Sequence, residues 1–250
     1  MIVDPLFYLV AIPAVLLNSI SKGGFGGALG GTAVPLMAIA ISPRQAAGIM
    51  LPLLCLTDVV GVRSYFGQWH KPTLKIILPG ALVGVAIGTL SFGVLSESAI
   101  RLLIGSISVA FVLISWLRRP VAQAARPSRV KGVFWSSLSG FTSFVAHAGS
   151  PPLVMYLLPQ QLEKTAFIAT ASLFFMLTNA VKLIPYAWLG QFSVPNLLTS
   201  LALAPLVPVG VWLGMWLQKR INQFWFYRIT QVGLLLIGAQ LIYQGIFSAH

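Results

Sequence analysis

Apolar positions run in long blocks along this chain, and most charged positions fall between the blocks, with Lys22, Asp58 and Lys182 as exceptions. Uncharged stretches cover 23–43, 76–96, 132–162, 183–218 and 229–250. A helix needs roughly 20 mainly apolar residues to cross the hydrocarbon core of a bilayer. Several stretches reach that length, and two are long enough for two crossings or a hairpin. None alternates over ten residues as a transmembrane barrel strand does. The pattern predicts an all-α polytopic membrane protein. Its ordinary helices fall at about 44–64, 73–95, 98–117, 163–185, 194–217 and 225–247.

Two apolar stretches, about 6–41 and 132–160, are interrupted by glycine and proline. Glycine permits unusual backbone angles. Pro35, Pro151 and Pro152 disfavour a continuous helix. Each stretch is therefore read as a helical hairpin that enters the membrane and returns to the same side.

The chain also repeats itself. Leu56-Thr57-Asp58 recurs as Leu177-Thr178-Asn179, and Gly67-Gln68-Trp69 as Gly190-Gln191-Phe192. Pro79, Gly84 and Gly88 recur as Pro205, Gly210 and Gly214, and Arg101 with Gly105 recurs loosely as Arg228 with Gly233. The order is kept and the offset drifts only from 121 to 128, as expected of a duplication. This gives a first repeat over 1–118, a basic, proline-containing linker at 119–131, and a second repeat over 132–250. A returning hairpin plus three crossings is an odd number of passes, so the repeats are expected to be inverted.

Charge fixes the orientation. With the N-terminus outside, twelve Lys and Arg lie inside and only Arg44 and Arg101 outside; the opposite orientation reverses the count. The positive-inside rule selects the first, so both termini are expected to be extracytoplasmic and the linker cytoplasmic. The net charge of +12 is thereby read as topology. No basic face or motif suggests nucleic acid. Cys55 is the sole cysteine, which excludes an intramolecular disulfide, a cysteine-based metal site and a paired-thiol relay. The start, M-I-V-D, has no positive n-region and is not expected to be a cleaved signal. Most tryptophans fall near predicted helix ends, as interfacial anchors do.

Inverted repeats with broken helices are typical of secondary transporters, which bind substrate near the midplane where the broken ends meet. Helix N-termini there favour an anion. Lys22 lies in the first broken stretch and His147 in the second. A charge at the bilayer centre costs roughly 2.5–3.5 kcal/mol on insertion scales, which suggests a functional reason for Lys22. The candidate substrate-binding set is Lys22 with Gly23, Gly24, Gly26 and Gly27, the hydroxyls of Ser19, Ser21, Thr32 and Ser150, and His147, Gly149, Asn179 and Lys182. His147, titrating near neutrality, and Asp58 are the candidates for proton coupling. Competing readings stand beside these. The glycines could serve close helix packing, and Lys22 could snorkel from a shallower position. His147 could be a packed histidine, Asp58 a partner of Arg63 or Lys71, and Lys182 a side chain reaching outward. A Walker loop is excluded because Lys22 precedes the glycines. No ligand spacing suggests a metal, and no cofactor is expected.

These residues resemble the TauE/SafE family of sulfite and organosulfur-anion exporters. The resemblance is carried by Gly23-Gly24-Phe25-Gly26-Gly27 with Gly31 and Pro35, by the stretch from Gly140 through His147 to Pro152, and by Asn179, Lys182, Pro185 and Tyr186. It covers nearly the whole chain. Ser150 stands where many relatives have glycine, which could narrow the site or add a hydroxyl. The resemblance implies export of sulfite, or of a sulfonate such as sulfoacetate, across a bacterial inner membrane.

The expected function is a non-enzymatic secondary transporter, with a passive channel or a carrier of a non-sulfur organic anion as alternatives. A thiol redox role needs a second cysteine, and a membrane enzyme needs a nucleophile or metal constellation that is missing. The expected partners are a small anion and the lipid bilayer, with a second copy of the chain left open.

Overall fold

A computed structural model describes residues 2, 4–28, 33–91, 97–117 and 125–247 of the 250. The described residues form helices and connecting turns: α1 (Pro5–Phe25), α2 (Ala33–Met37), α3 (Pro43–Ser64), α4 (Lys71–Leu90), α5 (Glu97–Leu117), α6 (Arg129–Ala146), α7 (Ser150–Leu157), α8 (Lys164–Trp188), α9 (Val194–Leu203), α10 (Leu206–Arg220) and α11 (Gln223–Phe247). Among the described residues, five stretches are long and apolar enough to cross a membrane, namely α1, residues 45–64 of α3, α4, α8 and α11; α9 with α10 makes a sixth if the bent pair counts as one span. The chain is an all-α polytopic membrane protein.

Local sequence sets the helix starts. The side chains of Asp4, Ser42, Ser128, Glu163 and Ser193 accept hydrogen bonds from backbone N–H groups of the first turns of α1, α3, α6, α8 and α9. These groups have no partner within the helix.

Both broken stretches pair a long arm with a short one. α1 ends at Gly26 in the left-handed region, φ 61°, and Gly27 follows at φ 86°. α6 ends at His147, also left-handed at φ 51°, a conformation that histidine tolerates better than most side chains. The short arms α2 and α7 have 5 and 8 residues. At 1.5 Å per residue, roughly 8 and 12 Å, neither crosses a bilayer.

The predicted helix at 194–217 is instead two helices, α9 and α10, bent by 43°. Pro205 is the physical reason. It has no N–H and its ring collides with the carbonyl one turn earlier. The Leu201 carbonyl accepts from Ala204 N–H at 3.3 Å instead, a tighter turn that ends α9.

Packing pairs α1 with α10, α4 with α6, α5 with α11, and α3 with α8. Glycines allow the closest approaches. A Cβ on Gly23 would sit 2.6 Å from the Val211 carbonyl oxygen, and one on Gly24 would sit 2.5 Å from that of Gly214. α4 and α6 meet at Gly80 and Gly140 in the same manner. The long arm of each hairpin thus lies against the helix that carries the other half's Pro-Gly-Gly pattern.

Several hydrogen bonds recur at one spacing. Gly27 N–H donates to Ser21 O at 3.0 Å, and Ala148 N–H to Thr142 O at 3.1 Å. The Tyr65 hydroxyl donates to Gly23 O, and the Tyr186 hydroxyl to Phe144 O. Asp58 and Asn179, 121 positions apart, bond to each other where α3 meets α8.

Candidate functional site

α1 brings Asn18 and Lys22, one helical turn apart, to the same face, and that face lines a partly enclosed cavity. Ala33 and Val34 of α2, Met50 and Leu54 of α3, Ser143 of α6, His147, Gly149, Ser150, and Phe175 and Asn179 of α8 complete its wall. Both hairpins and both crossing helices α3 and α8 therefore contribute. The cavity measures about 30 Å³, on a scale where one water needs roughly 10–15 Å³. It is sized for a few heavy atoms.

The wall is divided. α2 and α3 supply apolar side chains, while α1, α6 and the Gly149–Ser150 turn supply polar ones. Lys22 is the charged member of that lining. It is 8% exposed, lies 5.1 Å over the Phe175 ring, and forms an ion pair with Asp58. Asp58 is 1% exposed and does not line the cavity. Its second carboxylate oxygen accepts from Asn179 Nδ2 at 2.6 Å.

Beyond Asn179 lies Lys182, 0% exposed. Its ammonium donates to Ser143 O at 2.7 Å, Ser143 Oγ at 3.2 Å and Asn179 Oδ1 at 3.3 Å. The bonds form a continuous chain, Lys22–Asp58–Asn179–Lys182–Ser143, across the contact of α3 with α8. Two lysines and one carboxylate share it. Burying an ammonium among neutral acceptors is costly, so the cluster is suited to an additional negative charge.

Three buried polar atoms have no hydrogen-bond partner among the described residues: Asn18 Oδ1, Ser19 Oγ and His147 Nδ1. His147 is held at its other nitrogen, Nε2, 2.8 Å from the Tyr186 hydroxyl. Buried polar atoms are rarely left unpaired in a finished structure. Two of the three belong to residues that line the cavity, and the Asn18 amide can turn its nitrogen toward an anion.

The sequence-derived candidates separate into groups. Lys22, His147, Gly149, Ser150 and Asn179 come together around the cavity. Gly26 and Gly27 make the hairpin turn, and a Cβ on Gly27 would meet Ser150 Oγ at 3.2 Å and Lys22 Cγ at 3.7 Å. Gly23 and Gly24 face α10 rather than the cavity. Ser19 packs toward Gly210, and Ser21 is buried beside the turn. Thr32 lies outside the described residues. Lys182 stands one shell behind the wall and does not reach outward. Asp58 pairs with Lys22, not with Arg63 or Lys71.

Sequence reasoning overlooked Asn18, Ser143 and Phe175. Asn18 was legible as the residue one turn before Lys22, and Ser143 as the position 121 residues after it. Among the described residues, no three His, Cys, Asp or Glu side chains gather as metal ligands do. The prolines at 151 and 152 carry no N–H, so in the first turn of α7 only Ser150 and Leu153 offer one. Side chains therefore carry more of the site's polarity than that helix end does.

No curated protein and no solved structure matches the chain. The model of one family, described as sulfite exporter TauE/SafE, matches residues 11–241, a span that takes in most of the first hairpin, all of the second, the cavity and the buried lysine–aspartate chain. With that match over an all-helical membrane architecture, the chain belongs to the sulfite exporter TauE/SafE family of membrane transporters.

Proposed function

We propose that the protein is a secondary transporter that exports a small sulfur-containing anion, sulfite or a short sulfonate such as sulfoacetate, across a bacterial cytoplasmic membrane. The substrate sits in the cavity between the two hairpins. One observation carries this reading: a small cavity between the hairpins whose lining includes an ammonium, Lys22, and polar side chains with unused hydrogen-bonding capacity.

In this reading Lys22 neutralises the anion, while Asn18, Ser143 and Ser150 bond its oxygens. Gly27 and Gly149 keep the turns close enough for the two hairpins to share one ligand. A sulfonate would lay its short carbon chain against Met50, Leu54 and Phe175. His147, anchored by Tyr186, is the candidate for proton coupling. The 121-residue recurrence of the turn and tyrosine bonds supports two inverted repeats, 1–118 and 132–250, joined by the basic segment 119–131. Both termini then face outward, and the hairpins rock against each other to alternate access.

The test is counterflow of radiolabelled sulfite and of a sulfonate in proteoliposomes holding the wild-type chain. Saturable exchange, accelerated by unlabelled anion on the far side, is expected. Flux that rises linearly with concentration and shows no exchange would indicate a channel. Failure to move either anion would refute the sulfur-anion assignment.

A further inference from the structure

We propose that Asp58 is an internal counter-anion: it occupies Lys22 in the empty carrier, gives way to the substrate anion, and returns when the substrate leaves. The closed Lys22–Asp58 pair is then the form in which the empty carrier changes conformation. This rests on reading the cavity as the anion site, and it assigns the step that lets the carrier run without a second substrate.

The geometry has three parts. Lys22 faces the cavity while its partner, Asp58, lies behind it and is buried from the cavity. An entering anion thus meets an ammonium already paired and has to displace a carboxylate. The displaced carboxylate is not left without a partner, because its second oxygen is held by Asn179 at 2.6 Å. Asn179 in turn accepts from Lys182, a second ammonium whose hydrogen-bond partners among the described residues are all neutral. A receiving cation is therefore in place before the substrate arrives.

The third part is the asymmetry of a nearly symmetric pair. Asp58 and Asn179 stand at corresponding positions and bond to each other. A carboxylate occupies one position and its amide isostere the other, which gives one internal anion for one substrate. Carrying an unpaired charge through the bilayer centre is expensive. Lys22 carries an anionic partner in both forms, Asp58 when the carrier is empty and the substrate when it is loaded, while the displaced carboxylate stays in the core beside Lys182 and the loaded core gains the charge of the substrate. Net efflux then requires Asp58, because the carrier has to return empty. Exchange does not, because the carrier returns loaded.

The experiment compares wild type, Asp58→Asn and Asp58→Glu in proteoliposomes under two regimes, sulfite on both sides (exchange) and efflux into sulfite-free medium (net flux). Wild type and Asp58→Glu are expected to do both. Asp58→Asn is expected to keep exchange while net efflux falls by about a hundredfold, the rate equivalent of moving a lone charge through the membrane centre. The proposal is overturned if Asp58→Asn keeps net efflux within a few fold of wild type. It is equally overturned if exchange and net efflux fall together in a monodisperse variant that sulfite still protects against heat. Asp58→Ser carries the same comparison if the asparagine variant does not fold. If no neutral residue at position 58 gives a folded protein even in sulfite, the proposal is also overturned, since it requires substrate to substitute for the carboxylate. A wild type that moves no anion in either regime overturns the reading of the site itself.

Discussion

Replacing Lys22 by methionine removes one partner of a buried ion pair and keeps nearly the same side-chain length. Asp58, 1% exposed, would keep only the Asn179 amide as donor. Breaking a buried pair on one side costs about 3–5 kcal/mol, because the remaining charge is stranded. The Asn179 bond survives, and Lys22 is not wholly enclosed, so the lower end, about 3 kcal/mol, is expected. For a chain of this size each kcal/mol shifts the thermal midpoint by about 2–4 °C, so Lys22→Met should melt about 6–12 °C below wild type. Adding Asp58→Asn removes the stranded charge and leaves an amide opposite Asn179. The double variant should therefore recover to within about 1 kcal/mol, or about 2–4 °C, of wild type. The assay is gel filtration of the detergent-solubilised protein after graded heating. A single variant that melts with wild type, or a double variant that melts as low as the single, would refute the reasoning.

Three further outcomes follow from the same geometry. Asn18→Ala should leave the melting midpoint unchanged or slightly raised, since it removes a buried oxygen without a partner, yet it should slow sulfite exchange; a fall in stability without loss of exchange would make Asn18 structural. Gly24→Ala places a Cβ against the Gly214 backbone, whereas Gly61→Ala meets only the Ser172 side chain at 3.2 Å; the first should cost about 1–3 kcal/mol as overpacking and the second less, read as midpoint shifts, and equal shifts would contradict the close contact of α1 with α10. In a Cys55→Ser background, Ala125→Cys should react with a membrane-impermeant maleimide only from the cytoplasmic side, and labelling from outside would reverse the proposed topology.

Much of the architecture was legible because membrane crossing imposes length and apolarity on each helix. The two hairpin turns could be read from glycine and proline density, since Gly26 and Gly27 adopt positive φ that most side chains resist. The break between α9 and α10 could not be read in the same way. Pro79 and Pro205 fill matching places in the repeat pattern, yet α4 runs through Pro79 while the chain bends at Pro205. Whether a proline kinks or breaks a helix depends on neighbours that rescue the freed carbonyl, and these are not local in sequence.

The site shows the same division. That Lys22 and His147 should meet near two broken helices followed from residue type and position. That Asp58 would pair with Lys22, 36 residues earlier, rather than with the nearer Arg63 depended on how α1 packs against α3. Gly23 and Gly24 carried a double reading, ligand approach or helix packing. Which backbone they face is decided by α10, nearly 190 residues downstream. Lys182 read equally as outward-reaching or as lining an anion path; only the folded chain, which brings Ser143 of α6 to its ammonium as acceptor, shows it enclosed.

The most direct test of the central claim, that the anion binds at Lys22, is counterflow of radiolabelled sulfite in proteoliposomes of Asp58→Asn beside Lys22→Met/Asp58→Asn. Both lack the internal carboxylate, and they differ only in the ammonium at the cavity wall. The account predicts saturable exchange in the first and none in the second, with both proteins folded. Equal exchange in the two would contradict it and move the anion away from the first hairpin.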